Sequence, residues 1–198
     1  MPTRKFLLAD PARPEGPDNL HTRARIHDAL IALMAESEPL NHDRVAARAG
    51  ISRRTVYRYY PDQAALRAAA WERLSPEGGI PATAEALLGA LAGRFAKFDA
   101  NAPAMTVALA SPEGRAIRNV KKDERVASFR AMLAEATAHL PEPARTRAIA
   151  AVQFASSGFV WREMRDQWDM GGDGIAEACR WMIETLLAEL ANGGGPRG

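Results

Sequence analysis

Residues 52–59 read Ser-Arg-Arg-Thr-Val-Tyr-Arg-Tyr. Apart from Val56, every side chain in this run can donate a hydrogen bond, and none is acidic. Groups of this kind suit a polyanion. Arg53, Arg54 and Arg58 can fork onto a phosphate or onto the O6/N7 edge of guanine. Ser52 and Thr55 can bond a phosphate, Thr55 can also touch a thymine methyl, and the hydroxyls of Tyr57 and Tyr59 reach phosphates. Residues 41–60 hold five arginines, Arg44 among them, against one aspartate. Residues 20–75 hold nine basic and six acidic side chains, a net of +3, whereas residues 76–198 hold 14 and 15, a net of −1. The net charge of +2 for the whole chain says little, but this distribution points to a polyanionic partner for the first part alone.

The elements that must position these groups follow from apolar spacing and punctuation. Ile26, Ala29, Leu30, Leu33 and Met34 form one helical stripe, which predicts a helix over residues 20–37 with Thr22 as its cap. Pro39 ends it. Asn41 can cap a short helix through Ala49, Ser52 a third through Tyr60, and Asp62 opens a fourth that runs to Leu74. Two short helices meeting at a steep angle need a small residue at their closest approach, and Ala46 supplies it. They need a turn residue tolerant of positive φ, and Gly50 follows four positions later. Val45, Ala49, Ile51 and Val56 then close the small core. The far face of the third helix is left outward, with its N-terminus electrostatically suited to a phosphate.

The run from Val45 to Leu66 closely resembles the signature of the tetracycline-repressor (TetR) family, and the likeness extends from Arg23 to Leu66. That signature has a hydrophobic residue and Ala, then Ala-Gly-hydrophobic-Ser, Thr-hydrophobic-Tyr, an aromatic residue, Ser-Lys-Glu and Leu. The resemblance implies an all-α chain with a three-helix headpiece that binds DNA by helix-turn-helix, and a helical ligand-binding and dimerisation domain. It implies that Ser52, Thr55 and Tyr57 contact DNA, that Arg53, Arg54 and Arg58 set specificity, and that Tyr60 packs inside. Two positions depart from the pattern. Gln63 stands where the family has a phosphate-binding lysine, and paired arginines open the third helix where smaller residues are frequent. Arg44, Tyr59 and Gln63 complete the expected DNA contacts.

The expected organisation is a flexible arm (1–19), the headpiece (20–75), the second domain (76–191) and a disordered tail (192–198). Arg4, Lys5 and Arg13 of the arm are further candidates for holding DNA. Ser75–Pro81 marks the boundary. Beyond it the stripe of Leu87, Leu91, Phe95 and Phe98 predicts a helix, which Pro103 interrupts. A long helix should start at Ser111-Pro112-Glu113 and carry Ile117, Val120, Val126, Phe129, Leu133 and Leu140 on one side. Another should run from Glu142 to Trp168. Gly171–Gly174 reads as a loop before a last helix from Asp173 to Leu190. Small residues from Ala144 to Gly158, with the stripe of the last helix, suit close packing in a dimer. By the resemblance, two headpieces would then read a palindromic operator in double-stranded DNA. Phe95, Met105, Phe129, Phe154, Trp161 and Trp168 are large enough to line a pocket for a small-molecule effector. Arg94, Gln153 and Arg162 are candidates for a polar contact there.

No cofactor, metal or catalytic role is expected. His21, His27, His42 and His139 lack the spacing of a zinc helix, and no nucleophile elbow, acid pair or phosphate-binding glycine loop occurs. The single cysteine, Cys179, excludes a disulfide framework and, with the lack of a long apolar run, suggests a cytoplasmic chain away from membranes. The sequence therefore reads as a DNA-binding transcriptional regulator, a repressor relieved by an effector. The alternatives are an activator, or a helical interaction module without specific DNA binding.

Overall fold

A computed structural model describes residues 17–75 and 79–196. Among these the chain is all-α, with eleven helices and no strand. They are α1 (Pro17–Ala35), α2 (His42–Ala49), α3 (Arg53–Tyr59), α4 (Gln63–Leu74), α5 (Ala84–Ala100), α6 (Ala102–Ala110), α7 (Pro112–Asn119), α8 (Lys122–Met132), α9 (Ala144–Ala155), α10 (Gly158–Trp168) and α11 (Gly172–Ala191). The cationic arm residues Arg4, Lys5 and Arg13 lie outside the described residues, as does part of the expected boundary, residues 76–78.

Ile26, Leu30, Val45, Val56 and Leu66 are fully buried and knit α1–α4 together. Their core is continuous with that of the later helices, through Leu87, Phe95, Ile117, Trp161 and Ile183. α1 packs on α6 and α4 on α7, and Arg67 Nε sits 2.9 Å from Glu113 Oε1 across the second contact. α5 lies along α11 and forms the spine of the second half.

Several boundaries differ from the sequence expectation. α1 starts at Pro17, so residues 17–19 are helical rather than part of an arm. Thr22 sits inside that helix, its hydroxyl donating to the Asp18 carbonyl, and does not cap it. The expected long helix after Ser111 is two, α7 and α8, broken at Val120 and Lys121. Val120, expected on the buried stripe, is 40% exposed. The expected Glu142–Trp168 helix breaks at Ser156-Ser157. There the following Gly158 lies so near α6 that a Cβ would stand 3.1 Å from Met105 Cε. Gly172, expected in a loop, begins α11. Its N–H donates to Asp99 Oδ2 at 2.7 Å, so α5 supplies the cap that α11 lacks in its own sequence, and a Cβ there would meet that same oxygen. The chain after α11 returns to the body of the fold: Gly194 N–H donates to the Glu189 carbonyl, and His139 Nε2 lies 2.9 Å from the Gly194 carbonyl.

Candidate nucleic-acid interface

The α2–α3 unit is fixed at every end by short-range hydrogen bonds. Asn41 Oδ1 accepts from Arg44 N at 3.0 Å, and Ser52 Oγ accepts from Thr55 N at 3.1 Å. Both caps satisfy amides that a helix start otherwise leaves orphaned. Gly50 takes φ 62°, the left-handed conformation the turn demands. Arg25 reaches over from α1 and donates through Nη2 to the carbonyls of Ala49 (2.5 Å) and Gly50 (2.8 Å), so the turn is clamped from outside. A Cβ on Gly50 would lie 2.9 Å from that nitrogen. Ala46 and Ala49 are buried between the helices, as the close approach requires.

α3 buries Val56, leaves Thr55 and Tyr59 half-buried, and exposes Arg53, Arg54, Tyr57 and Arg58. Arg54, Thr55, Tyr57 and Arg58 line a shallow concavity open to solvent. Arg54 pairs with no carboxylate among the described residues. Arg58 lies over the Tyr59 ring, 5.1 Å from its centroid. Arg53 sits 3.1 Å from Asp43 and donates to the Tyr57 hydroxyl at 3.3 Å. Arg44 pairs with Glu38 at the edge of this surface. The face is thus a set of exposed donors on a rigid helix, some held by weak, solvent-exposed ion pairs that a phosphate can replace.

Two expected contacts are placed differently. Tyr59 is half-buried against α1, and its hydroxyl donates to Asn19 Oδ1 at 2.6 Å, so it stands beside the outward face rather than on it. Gln63 is half-buried, with Nε2 donating to the Leu40 carbonyl. Its amide ties the start of α4 to the strand of chain before α2. Tyr60 is 8% exposed, inside as expected.

Sequence reasoning missed a pair of histidines. His42 is buried, its Nε2–H donates to the Tyr60 carbonyl at 2.7 Å, and its ring stacks on Tyr57 with centroids 3.8 Å apart and planes 4° from parallel. Tyr57 is 39% exposed, so His42 orients an outward side chain from beneath. His27 shares a 2.8 Å hydrogen bond with the Tyr60 hydroxyl, and burial lowers its pKa. The only signal available was the spacing of His42 from Tyr57 and Tyr60, which crosses a turn and has no helical period.

In the second half the six aromatic and methionine residues expected to line a pocket do not converge. Phe95, Met105, Phe129 and Trp161 are buried in the core. Trp161 meets Phe98 edge-on at 5.8 Å and donates through Nε1 to Asp99 Oδ1 at 2.8 Å. Phe154 and Trp168, by contrast, are 59% and 71% exposed. Of the small residues expected to face a second chain, Ala144, Ala148 and Ala155 are buried within this one, whereas Ala151 and Gly158 are half-buried. Cys179 is buried, and desolvation pushes its thiol up to about 11, which leaves it protonated and inert. Among the described residues no helix is long and apolar enough to cross a membrane.

No family model and no curated protein matches the sequence. Among solved structures the chain is similar to a TetR transcriptional regulator from Rhodococcus sp. RHA1, at 22% identity over 85% of this chain and 98% of that one, with a TM-score of 0.49. The functional reading therefore rests on the interface itself.

Proposed function

We propose that this chain is a member of the TetR family and a sequence-specific DNA-binding transcription regulator, a repressor that acts as a cytoplasmic homodimer on a palindromic operator. One observation carries the reading. A capped, clamped helix-turn-helix offers Arg54, Thr55, Tyr57 and Arg58 to solvent from the far face of α3, with no acidic side chain among them. A helix so presented fits the major groove, where arginine reads guanine and the neighbouring hydroxyls hold the phosphates.

Dimerisation is supported by Phe154, Trp168 and Trp181, large aromatics left 59–71% exposed on α9, α10 and α11. Side chains of that size gain from burial against a second copy. An effector bound among α5–α11 would lower operator affinity only by binding one spacing of the headpieces better than another. A second reading, a headpiece that binds DNA without sequence preference or not at all, is favoured by Gln63, whose amide is turned inward.

The test is anisotropy of labelled duplexes at two salt concentrations. One duplex comes from the region upstream of the protein's own gene, one is scrambled, and one is selected from a random library. Wild type should bind the upstream or selected duplex at least about tenfold more tightly than the scrambled one, and Arg54→Ala should lose on the order of 1–3 kcal/mol of that binding. Arg54 is exposed and pairs with no carboxylate among the described residues, so the loss reports on DNA rather than on folding. Failure of selection to enrich any sequence, with a salt slope near zero, overturns the reading.

A further inference from the structure

Residues 41–60 contain one acidic side chain, Asp43, beside five arginines. A carboxylate there repels every phosphate that the arginines attract, so it weakens binding to any DNA. Its contacts show what it supplies instead. The Asn41 cap fixes the first turn of α2 and brings two adjacent residues, His42 and Asp43, against α3. They meet two side chains one turn apart on that helix. His42 stacks on Tyr57, and Asp43 Oδ1 lies 3.1 Å from Arg53 Nε. Arg53 Nη2 donates to the Tyr57 hydroxyl at 3.3 Å, and its guanidinium carbon is 5.3 Å from the centre of the Tyr57 ring. Tyr57 is itself held, because His42 beneath it donates to the Tyr60 carbonyl. An ion pair as exposed as that of Arg53 and Asp43, at 59% and 67%, holds little alone. With Tyr57 as a second hold, Arg53 is fixed at two nitrogens.

A guanidinium has two forks of paired N–H groups. Nε and Nη2 form the side fork, and Nη1 and Nη2 form the end fork. Asp43 and Tyr57 occupy the side fork of Arg53, which leaves the end fork for a ligand. Arg53 is the first residue of α3, and the start of a recognition helix is the part that meets base edges in the major groove. The N7 and O6 atoms of guanine match an arginine fork. An arginine without such holds gives up side-chain freedom on binding and can turn to a phosphate instead. We propose that Asp43 is a positioning residue for sequence recognition: with Tyr57 it locks the side fork of Arg53, so that the end fork reads one guanine in each operator half-site. The proposal rests on the regulator reading above. The carboxylate lowers affinity for all DNA and raises discrimination at one base pair.

The test is selection from random duplexes by the full chain as wild type, Arg53→Ala, Asp43→Ala and Asp43→Asn. Anisotropy on selected and scrambled duplexes at two salt concentrations accompanies it. Wild type should enrich guanine at one position per half-site, and Arg53→Ala should lose that preference alone. Asp43→Ala should lower it about tenfold at the same position and leave the other positions unchanged. It should also bind the scrambled duplex more tightly than wild type, most of all at low salt. Asp43→Asn keeps an oxygen for Nε without the charge. It should bind scrambled DNA as Asp43→Ala does but retain most of the guanine preference. Added to Arg53→Ala, Asp43→Ala should change no preference, because it acts only through that arginine. A loss of folding would not single out one base position. The proposal is overturned if Asp43→Ala tightens selected and scrambled duplexes equally, which would make Asp43 a repulsive charge whose arginine turns to a phosphate. It is overturned as well if Asp43→Ala relaxes a different position, or relaxes one when Arg53 is already alanine, which would assign the carboxylate its own contact to cytosine. Either result leaves the regulator standing. If wild type enriches no sequence, the regulator reading falls and the proposal with it.

Discussion

In α1–α4 the helix starts and the tight turn are set by short-range caps and one clamp: Asn41 to Arg44, Ser52 to Thr55, Asp62 to Ala65, and Arg25 to the carbonyls of Ala49 and Gly50. Longer bonds from His27, His42, Tyr59 and Gln63 join the helices. In α5–α11 the decisive ones join distant elements. Asp99 on α5 holds both the Trp161 indole on α10 and the first amide of α11, and Arg180 on α11 donates back to the Leu88 carbonyl on α5. The first region has its helix starts and turn prescribed locally and leaves the arginines of α2 and α3 on the surface. The second is shaped by packing between distant helices. A lesion in the first should therefore change what the surface binds, and a lesion in the second should change whether the chain folds.

The largest expected effect belongs to the second region. Trp161 is fully buried and bonded to Asp99. Trp161→Ala should lose about 3–5 kcal/mol of stability, because it opens a large cavity and leaves an aspartate oxygen without its indole donor. Urea unfolding reads the loss directly. A value under about 1 kcal/mol would mean that α10 is not the keystone the packing indicates, and the contrast between the regions would fail.

That contrast also explains what could be read from the sequence. Caps at Asn41, Ser52 and Asp62 and the glycine at Gly50 act within a few residues, so their types alone announced the helix-turn-helix and the outward face of α3. The breaks at Val120 and at Ser156-Ser157 carry no such sign. The second arises where Gly158 seats α10 against Met105 and Leu109 of α6. Helical periodicity runs straight through both places. The cap that starts α11 is equally silent, since it comes from Asp99, in sequence far from Gly172.

Next in size is His42, where the two kinds of effect meet. His42→Ala removes a buried donor from the Tyr60 carbonyl and the platform beneath Tyr57, and should lose about 2 kcal/mol of stability and about tenfold in operator affinity. His42→Phe restores the platform but not the donor. It should recover most of the DNA affinity while remaining less stable. Equal losses of affinity in the two variants would show that stacking does not position Tyr57.

A matched pair of caps sharpens the comparison at a smaller scale. Ser52→Ala and Thr83→Ala each remove one hydroxyl acceptor from a helix start, α3 and α5 respectively. Each should lose about 1 kcal/mol in thermal or urea unfolding. Only Ser52→Ala should weaken DNA binding, because only α3 carries the interface. If Thr83→Ala weakens it as much, the headpiece geometry is set from α5 rather than by its own caps.

The smallest effect is one of pH and centres on His27. Burial is the main cause of its lowered pKa, with Arg73 and Arg23 acting in the same direction and Glu72 and Asp28 opposing. In the unfolded chain a histidine titrates near pH 6.5. Between that value and the lower folded one, the unfolded chain binds more protons than the folded chain, so stability rises with pH across this window. At pH 7.5 both states hold the neutral ring and the effect is absent. It should appear as pH falls through 6.5 and be complete once the folded ring also takes up a proton. His27→Gln can keep a hydrogen bond to the Tyr60 hydroxyl but cannot titrate, so its stability should fall less than that of wild type from pH 7.5 to 5.5. The Tyr60 hydroxyl joins His27 to the same residue whose carbonyl holds His42, so this acid sensitivity would reach the base of α3. Parallel pH profiles for the two proteins would place the acid-sensitive group elsewhere and leave the headpiece clamp independent of pH.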